Sequence, residues 1–362
     1  MPALTAAIRA AFREHRALVA LVAGLVALGF AVELATGLRG MSRTLWYRPS
    51  FRYFLVLIPV PPVFAFLLIR LRTYGPDGRW LTGLPGWRAA WGRFRAEYLR
   101  GDRVLGAMLS GLLVALTINL FGTWKLRIPK LQPFAWDARF AELDRVLHLG
   151  RQPWEWLQPV LGHPVVTTSL DFIYYTWLPM VGLVCAWQAW SPRREARLRF
   201  FLVFALVWVG LGDVLATLFS SAGPCFWDEL GLGANPYAGL FAYHEQVKAA
   251  YPFGTAIVQE GLWQRYQGLV PGSPYTGISA MPSIHVAMPL LYALAGRATA
   301  RWLGVAFGIY GLLILLGSVH LGWHYAVDGY LSIVAVVLLW GAVGALAKRE
   351  AGAEAVAPGM RQ

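Results

Sequence analysis

Two short segments hold side chains whose types and spacing suit group-transfer chemistry. In the stretch from Ser318 to Asp328, His324 and Asp328 stand four residues apart. On a helix that spacing puts both on one face, so the carboxylate can accept from one ring nitrogen, fix the tautomer and leave the other nitrogen as a nucleophile. A structural His–Asp hydrogen bond is the plainer alternative. Against it, an ionisable residue inside an apolar run is costly to bury, and Asp328 opens such a run. The second segment is Met281-Pro282-Ser283-Ile284-His285, which follows Gly272 and Gly277 and precedes another apolar run. It predicts a helix N-terminus, where Pro suits the first turn and unpaired N–H groups with the helix dipole attract an anion. Ser283 then offers a hydroxyl and His285 a proton. The bland alternative is a capping serine beside an interfacial histidine.

His320 lies four residues before His324, so His285, His320, His324 and Asp328 form a conceivable zinc set. No His-Glu-x-x-His arrangement or cysteine cluster accompanies them, and Gly322 interrupts the helix that would present them. The expectation is a site with no metal and no other cofactor.

The elements that must hold these residues are apolar helices. Hydrophobic residues make up 57% of the 362 and charged residues only 14%, far from the balance of a soluble domain. The net charge of +13 raises nucleic acid as a partner, but 17 Trp and repeated long apolar runs point to a bilayer, with basic loops at its anionic headgroups. Runs of roughly 20 apolar residues predict an all-α polytopic protein with about eight spans: 17 to 37, 53 to 70, 104 to 122, 166 to 190, 200 to 220, 280 to 296, 302 to 318 and 324 to 346. The first follows Arg9, Arg13 and Arg16 and is longer than a signal-peptide core, so it reads as a retained span. Pro59, Pro61 and Pro62 should bend the second.

Lys and Arg are concentrated in the loops that would be cytoplasmic if the N-terminus is inside, which predicts both termini cytoplasmic. Much of that bias comes from Arg70 to Arg103, where Trp80, Trp87 and Trp91 alternate with basic residues, as in an interfacial segment or a plain cytoplasmic loop. Two long segments, 123 to 165 and 221 to 279, then fall outside the membrane and should bear the site. Residues 1–103 read as an N-terminal two-helix membrane region, 104–347 as the catalytic bundle, and 348–362 as a disordered cytoplasmic tail. Cys185 and Cys225 are too few for a disulfide framework and fall at opposite membrane faces, so both are expected as free thiols. A transporter with an intramembrane His/Asp relay is the competing class of function.

A Pro-Ser-x-His element opening one span, followed about 40 residues later by His-x-x-x-Asp entering the last, resembles the type 2 phosphatidic acid phosphatase superfamily. The resemblance covers roughly residues 120 to 345 and implies a six-helix core in which His324 is the nucleophile, His285 protonates the leaving oxygen and Asp328 orients His324. That family's first motif is Lys, six residues, Arg-Pro; here Lys125 and Pro133 match, but Gln132 stands in place of the arginine. Gly317 and Ser318 stand where the phosphatases carry Ser-Arg, so a second arginine is missing. A phosphomonoester is nearly dianionic and suits bidentate guanidinium, whereas a diester carries one charge. The loss therefore favours a diester.

The His-Tyr-x-x-Asp form, and the segment from Ile128 and Pro129 through Pro133, Phe134, Trp136, Asp137, Asp144, Leu147 and His148 to Pro153 and Trp154, are similar to inositol-phosphorylceramide synthases, with sphingomyelin synthases nearby. The resemblance implies a lipid phosphotransferase moving a phospho-headgroup from a phospholipid to a lipid hydroxyl through a phosphohistidine, with its site on the outer membrane face. Hydrolysis of a lipid phosphomonoester or pyrophosphate, with water as acceptor, is the alternative. Substrate contacts are then expected from Lys125, Ser283, Gln132, His320 and Lys130, with Arg127 and Arg139 as further cations near the missing arginines. Asp171 and Asp213 are intramembrane carboxylates for which the resemblance supplies no role; Asp171 is a candidate headgroup contact.

Overall fold

The computed structural model describes residues 2–73, 80, 83–269 and 277–356. The N-terminal part comprises α1 (Pro2–Glu14), α2 (Arg16–Thr36), α3 (Met41–Leu45), α4 (Arg48–Leu57), α5 (Val60–Leu71) and α6 (Gly83–Tyr98). The long α7 (Gly101–Lys125) leads into the short α8 (Ile128–Leu131), α9 (Asp137–Leu147) and α10 (Pro153–Leu161). Next come α11 (Pro164–Tyr175), α12 (Trp177–Ala189) and α13 (Arg194–Ala205), which continues as a π-helical segment, Leu206–Leu215, into α14 (Ala216–Leu218). After α15 (Ala238–Ala250) and α16 (Gly254–Tyr266), the chain closes with α17 (Ile284–Thr299), α18 (Arg301–His320) and α19 (Ala326–Val356).

Among the described residues, six helical stretches are long and apolar enough to cross a membrane, seven if the bent pair α11–α12 forms one span. The difference from the expected eight is α17. It begins at Ile284, because 277–283 is irregular chain, and its 16 residues reach about 24 Å at 1.5 Å per residue, short of a bilayer core of roughly 30 Å. Burial sorts the rest. In α7 and in α13 with its π segment, 56% and 61% of the apolar window is buried, against 17% to 22% in the other four spans, which places these two at the centre. Gly106, Ala107, Ser110, Gly111 and Ala115 are buried on α7, small enough for close approach of neighbours. Trp302, Val305, Ile309 and Leu312 of α18 form an exposed apolar stripe at helical spacing, suited to lipid.

The proline-rich span is broken as the sequence predicts. Pro62 has no N–H to give the carbonyl four residues back, and the indole Nε1–H of Trp190 donates to that oxygen, Ile58 O, at 2.6 Å. A side chain at the end of α12 thus replaces the bond lost at Pro62, where the helix is interrupted between α4 and α5. Cys185 and Cys225 are free thiols. The helix α19 runs through residues 348–356, and 357–362 lie outside the described residues, as does Gly272.

Candidate active site

His324 is delivered by a helix end. The last turn of α18 closes as a Schellman motif: Gly322, at φ 73°, donates to Val319 O (3.0 Å) and Trp323 donates to Ser318 O (3.0 Å), followed by His324 N to the same oxygen (3.1 Å). The left-handed conformation that this turn needs is why Gly stands at 322. His324 and Asp328 therefore do not share one continuous helix face as the spacing suggested. Tyr325 precedes α19, and Asp328 is its third residue, turned back to accept the Tyr325 N–H at 3.0 Å on Oδ2, one arm of a capping box. The same oxygen accepts His324 Nδ1–H at 3.1 Å. Asp328 is fully buried, and its Oδ1 has no partner among the described residues.

With its proton held on Nδ1, His324 presents a bare Nε2, which lies 3.3 Å from His285 Nδ1. His285 sits in the first turn of α17, flat against Tyr174 (centroids 5.0 Å) and tilted on Trp177 (4.3 Å). The Nε2 lone pair suits a proton on His285 Nδ1, directed at His324. The 3.3 Å gap between the two nitrogens holds no third atom.

Lys125, the last residue of α7, stands over Phe121 (5.4 Å to the ring centroid). Gly277 lies against its backbone and Cγ with no space for a Cβ, which seals one side of the lysine. Lys125, His285 and His324 lie where two lobes of a cavity meet. One lobe, of about 590 Å³, is walled by residues of α4, α7, α12 and the π segment; the other, of about 270 Å³, by Tyr174, Tyr175, Phe226, Ile278 and Trp323 among others. Among the described residues Lys125 is the one Lys or Arg lining either lobe, and no carboxylate lines them.

The remaining expected contacts lie elsewhere. Ser283 caps α17, its Oγ accepting Val286 N–H at 3.4 Å, and its own N–H donates to Asp328 O at 3.3 Å; the serine ties the two motif segments together. His320 points away from the histidine pair, bonded through Nε2 to Thr167 Oγ1 at 2.9 Å, so the zinc set of four does not converge. Among the described residues no group of three His, Cys, Asp or Glu side chains is placed to hold a metal. Lys130 is exposed on α8, and Gln132 follows at the end of that helix.

Arg127 pairs with Glu33 (3.8 Å) and donates to the carbonyls of Leu38, Arg39 and Thr123, so it staples α2 to α7. Arg139 stacks on Trp136 at 4.8 Å. Asp171 is spent on the start of α16, accepting from Gly254 N, Thr255 N and Thr255 Oγ1 (2.8, 3.2 and 2.6 Å). The Trp323 indole donates in turn to Thr255 Oγ1 at 3.2 Å, which links Asp171 to the residue before His324. Asp213 is fully buried in the π segment with both oxygens unpartnered among the described residues, and Lys125 is the opposite charge acting on it. A π segment of this kind often marks a functional site.

Two residues matter more than the sequence alone revealed. Asp137 and Asp144, seven apart on one face of α9, are both buried. Asp137 accepts from Ala222 N, Gly223 N and the Tyr325 hydroxyl (2.9 Å), and Asp144 from Ala326 N (2.7 Å) and Val327 N (3.0 Å). Asp144 and Asp328 together satisfy the first N–H groups of α19, where negative charge is favoured. Burial in apolar surroundings nevertheless lifts the Asp144 carboxyl to about 7, against the pull of its two backbone donors.

Set on this geometry, comparison with known families is decisive. The family model described as the PAP2 superfamily matches residues 138–345, more than half of the chain. Searches of curated proteins and of solved structures return no match. The matched segment contains His285, His324 and Asp328, while Lys125 precedes it. This helical membrane protein belongs to the PAP2 superfamily of phosphatases and phosphotransferases and is an enzyme of that superfamily.

Proposed function

We propose that this enzyme is a lipid phosphotransferase that moves a phospho-headgroup from a phospholipid to a lipid hydroxyl, as the resemblance to inositol-phosphorylceramide synthases implies. One observation carries the reading: Lys125 is the one Lys or Arg among the described residues lining a largely apolar, two-lobed cavity that meets at the histidine pair. One ammonium balances the single charge of a diester; a monoester near two charges, in the same low-dielectric site, lacks its second partner. Two lobes at one nucleophile also suit a donor and an acceptor that use it in turn.

His324 Nε2 attacks phosphorus, the P–O bond to the leaving alcohol breaks, and His285, entering this step as the imidazolium, passes its Nδ1 proton to that oxygen and is left neutral. Asp328 holds the developing imidazolium of His324. In the second half the acceptor hydroxyl gives its proton to His285, its oxygen bonds to phosphorus, and the P–N bond breaks. Lys125 holds the equatorial oxygens in both halves. The proposed topology keeps both termini cytoplasmic and this end of the bundle on the outer face.

Mass spectrometry of products, with and without a hydroxyl-lipid acceptor, tests the assignment. Acceptor-dependent formation of a phosphorylated lipid from a phosphodiester donor is expected, and Lys125→Gln should lower kcat/KM by about 10²-fold, the scale of a lost charge-assisted contact. Free phosphate released from a monoester, with no acceptor product, makes the enzyme a lipid phosphate phosphatase instead.

A further inference from the structure

The large lobe is walled in part by an element outside the family match. Tyr47, Ser50, Tyr53 and Phe54, from α4 and the residue before it, face Val181 of α12 and Phe121 of α7 across that lobe. The placement of α4 is enforced. The Tyr53 hydroxyl reaches the carbonyl oxygens of Leu178 (3.3 Å) and Pro179 (3.4 Å), just past the break between α11 and α12. Asn119 of α7 donates to Leu45 O at 2.9 Å, ahead of α4. Leu55 and Val56, on the other side of α4, are 67% and 69% exposed, as lipid-facing residues are. One face of α4 thus looks into the catalytic cavity and the other into the membrane. The lobe has Lys125 and the histidines at one end and apolar walls along the rest, so an anionic group with an attached hydrocarbon chain is the ligand that matches both parts.

We infer that α4, with α12, forms the hydrocarbon-chain subsite of the enzyme, and that Ser50 and Phe54 set which lipid chains reach His324. The inference rests on the phospholipid reading above and gives residues in the N-terminal region a part in substrate selection. The chain lies in the lobe that α4, α7 and α12 enclose, and its phosphate meets Lys125.

Two measurements on the full-length protein test it. In the first, His324→Ala, which binds without turnover, is irradiated with a phospholipid bearing a diazirine near the end of one chain, and the adducts are mapped. Adducts on the cavity-facing Ser50, Tyr53 or Phe54 are expected; adducts confined to the lipid-facing Leu55 and Val56 or to other helices overturn the subsite. Because no turnover is needed, this result is separate from any failure of the transferase reading. In the second, kcat/KM is measured on short-chain and long-chain donors of one headgroup. Ser50→Phe, which narrows the lobe, should lower the long-chain value at least about tenfold relative to the short-chain one, the scale on which pockets discriminate alkyl groups. Phe54→Ala should shift the ratio the opposite way, and Leu55→Ala should leave it unchanged. Chain-length profiles of Ser50→Phe and Phe54→Ala that both parallel wild type contradict the inference.

Discussion

At the residue scale, the site depends on where single protons sit. Asp328 Oδ2 takes both the Tyr325 N–H and the Nδ1 proton of His324, and as a carboxylate it offers that site acceptors and negative charge but no competing donor. Asp328→Asn puts an amide where two donors converge and favours the wrong tautomer of His324, so kcat should fall on the order of 10³-fold or more while KM changes little. Initial-rate kinetics check this; a variant within a few-fold of wild type would place Asp328 outside the mechanism. Asp144 gives a pH test. Its folded value, raised by burial to about 7, exceeds the ordinary carboxyl value near 3.8, so the folded state holds a proton between those limits that the unfolded chain has released. The stabilising contribution is full below about pH 4 and is lost as pH rises through about 7. The thermal midpoint should decline across that window, and Asp144→Asn should flatten the decline; parallel melting curves for the two proteins would show that Asp144 is not the group responsible.

At the scale of elements, the candidate site hangs on helix ends. The Schellman turn after α18, the capped start of α19 and the Ser283 cap of α17 bring His324, Asp328 and His285 together although none of the three lies mid-helix. Gly322→Ala forces a Cβ into φ +73°, and Phe241 occupies the space it needs. A loss of about 1 kcal/mol or more is expected from the conformation alone, read as a lower melting temperature with reduced activity. Trp190→Phe removes the indole donor that covers Ile58 O and should cost about 1 to 3 kcal/mol, the range for an orphaned buried acceptor, again as a lower midpoint in thermal unfolding. Unchanged melting in both variants contradicts this reading of the turns.

Across the whole molecule, the parts legible in the sequence are those set by local pattern. Apolar runs marked α2, α7, α18 and α19, and the three prolines marked the break after α4. The two histidine motifs were readable because residue type and order carry them. What stayed hidden depends on partners remote in sequence. His320 and Asp171 have the chemistry of ligands, but Thr167 and the N-terminus of α16 take their hydrogen bonds. Asp137 and Asp144 bond to backbone N–H groups, which leave no trace in a side-chain pattern. Arg127 stands near the missing arginines in sequence, yet Glu33 and the loop after α2 claim it. The π segment reads as one more apolar run, and α4 reads as half of an ordinary span; only packing shows that it borders the cavity at the histidine pair.

The most direct test is to trap the intermediate. The full-length enzyme is mixed with a phospholipid labelled in its phosphate, quenched in alkali within a turnover, and digested. Label that is stable to alkali, labile to acid and located on His324 is expected, with none in His324→Ala. Product formation by wild type with no labelled protein, or label that persists in His324→Ala, would contradict nucleophilic catalysis by this histidine.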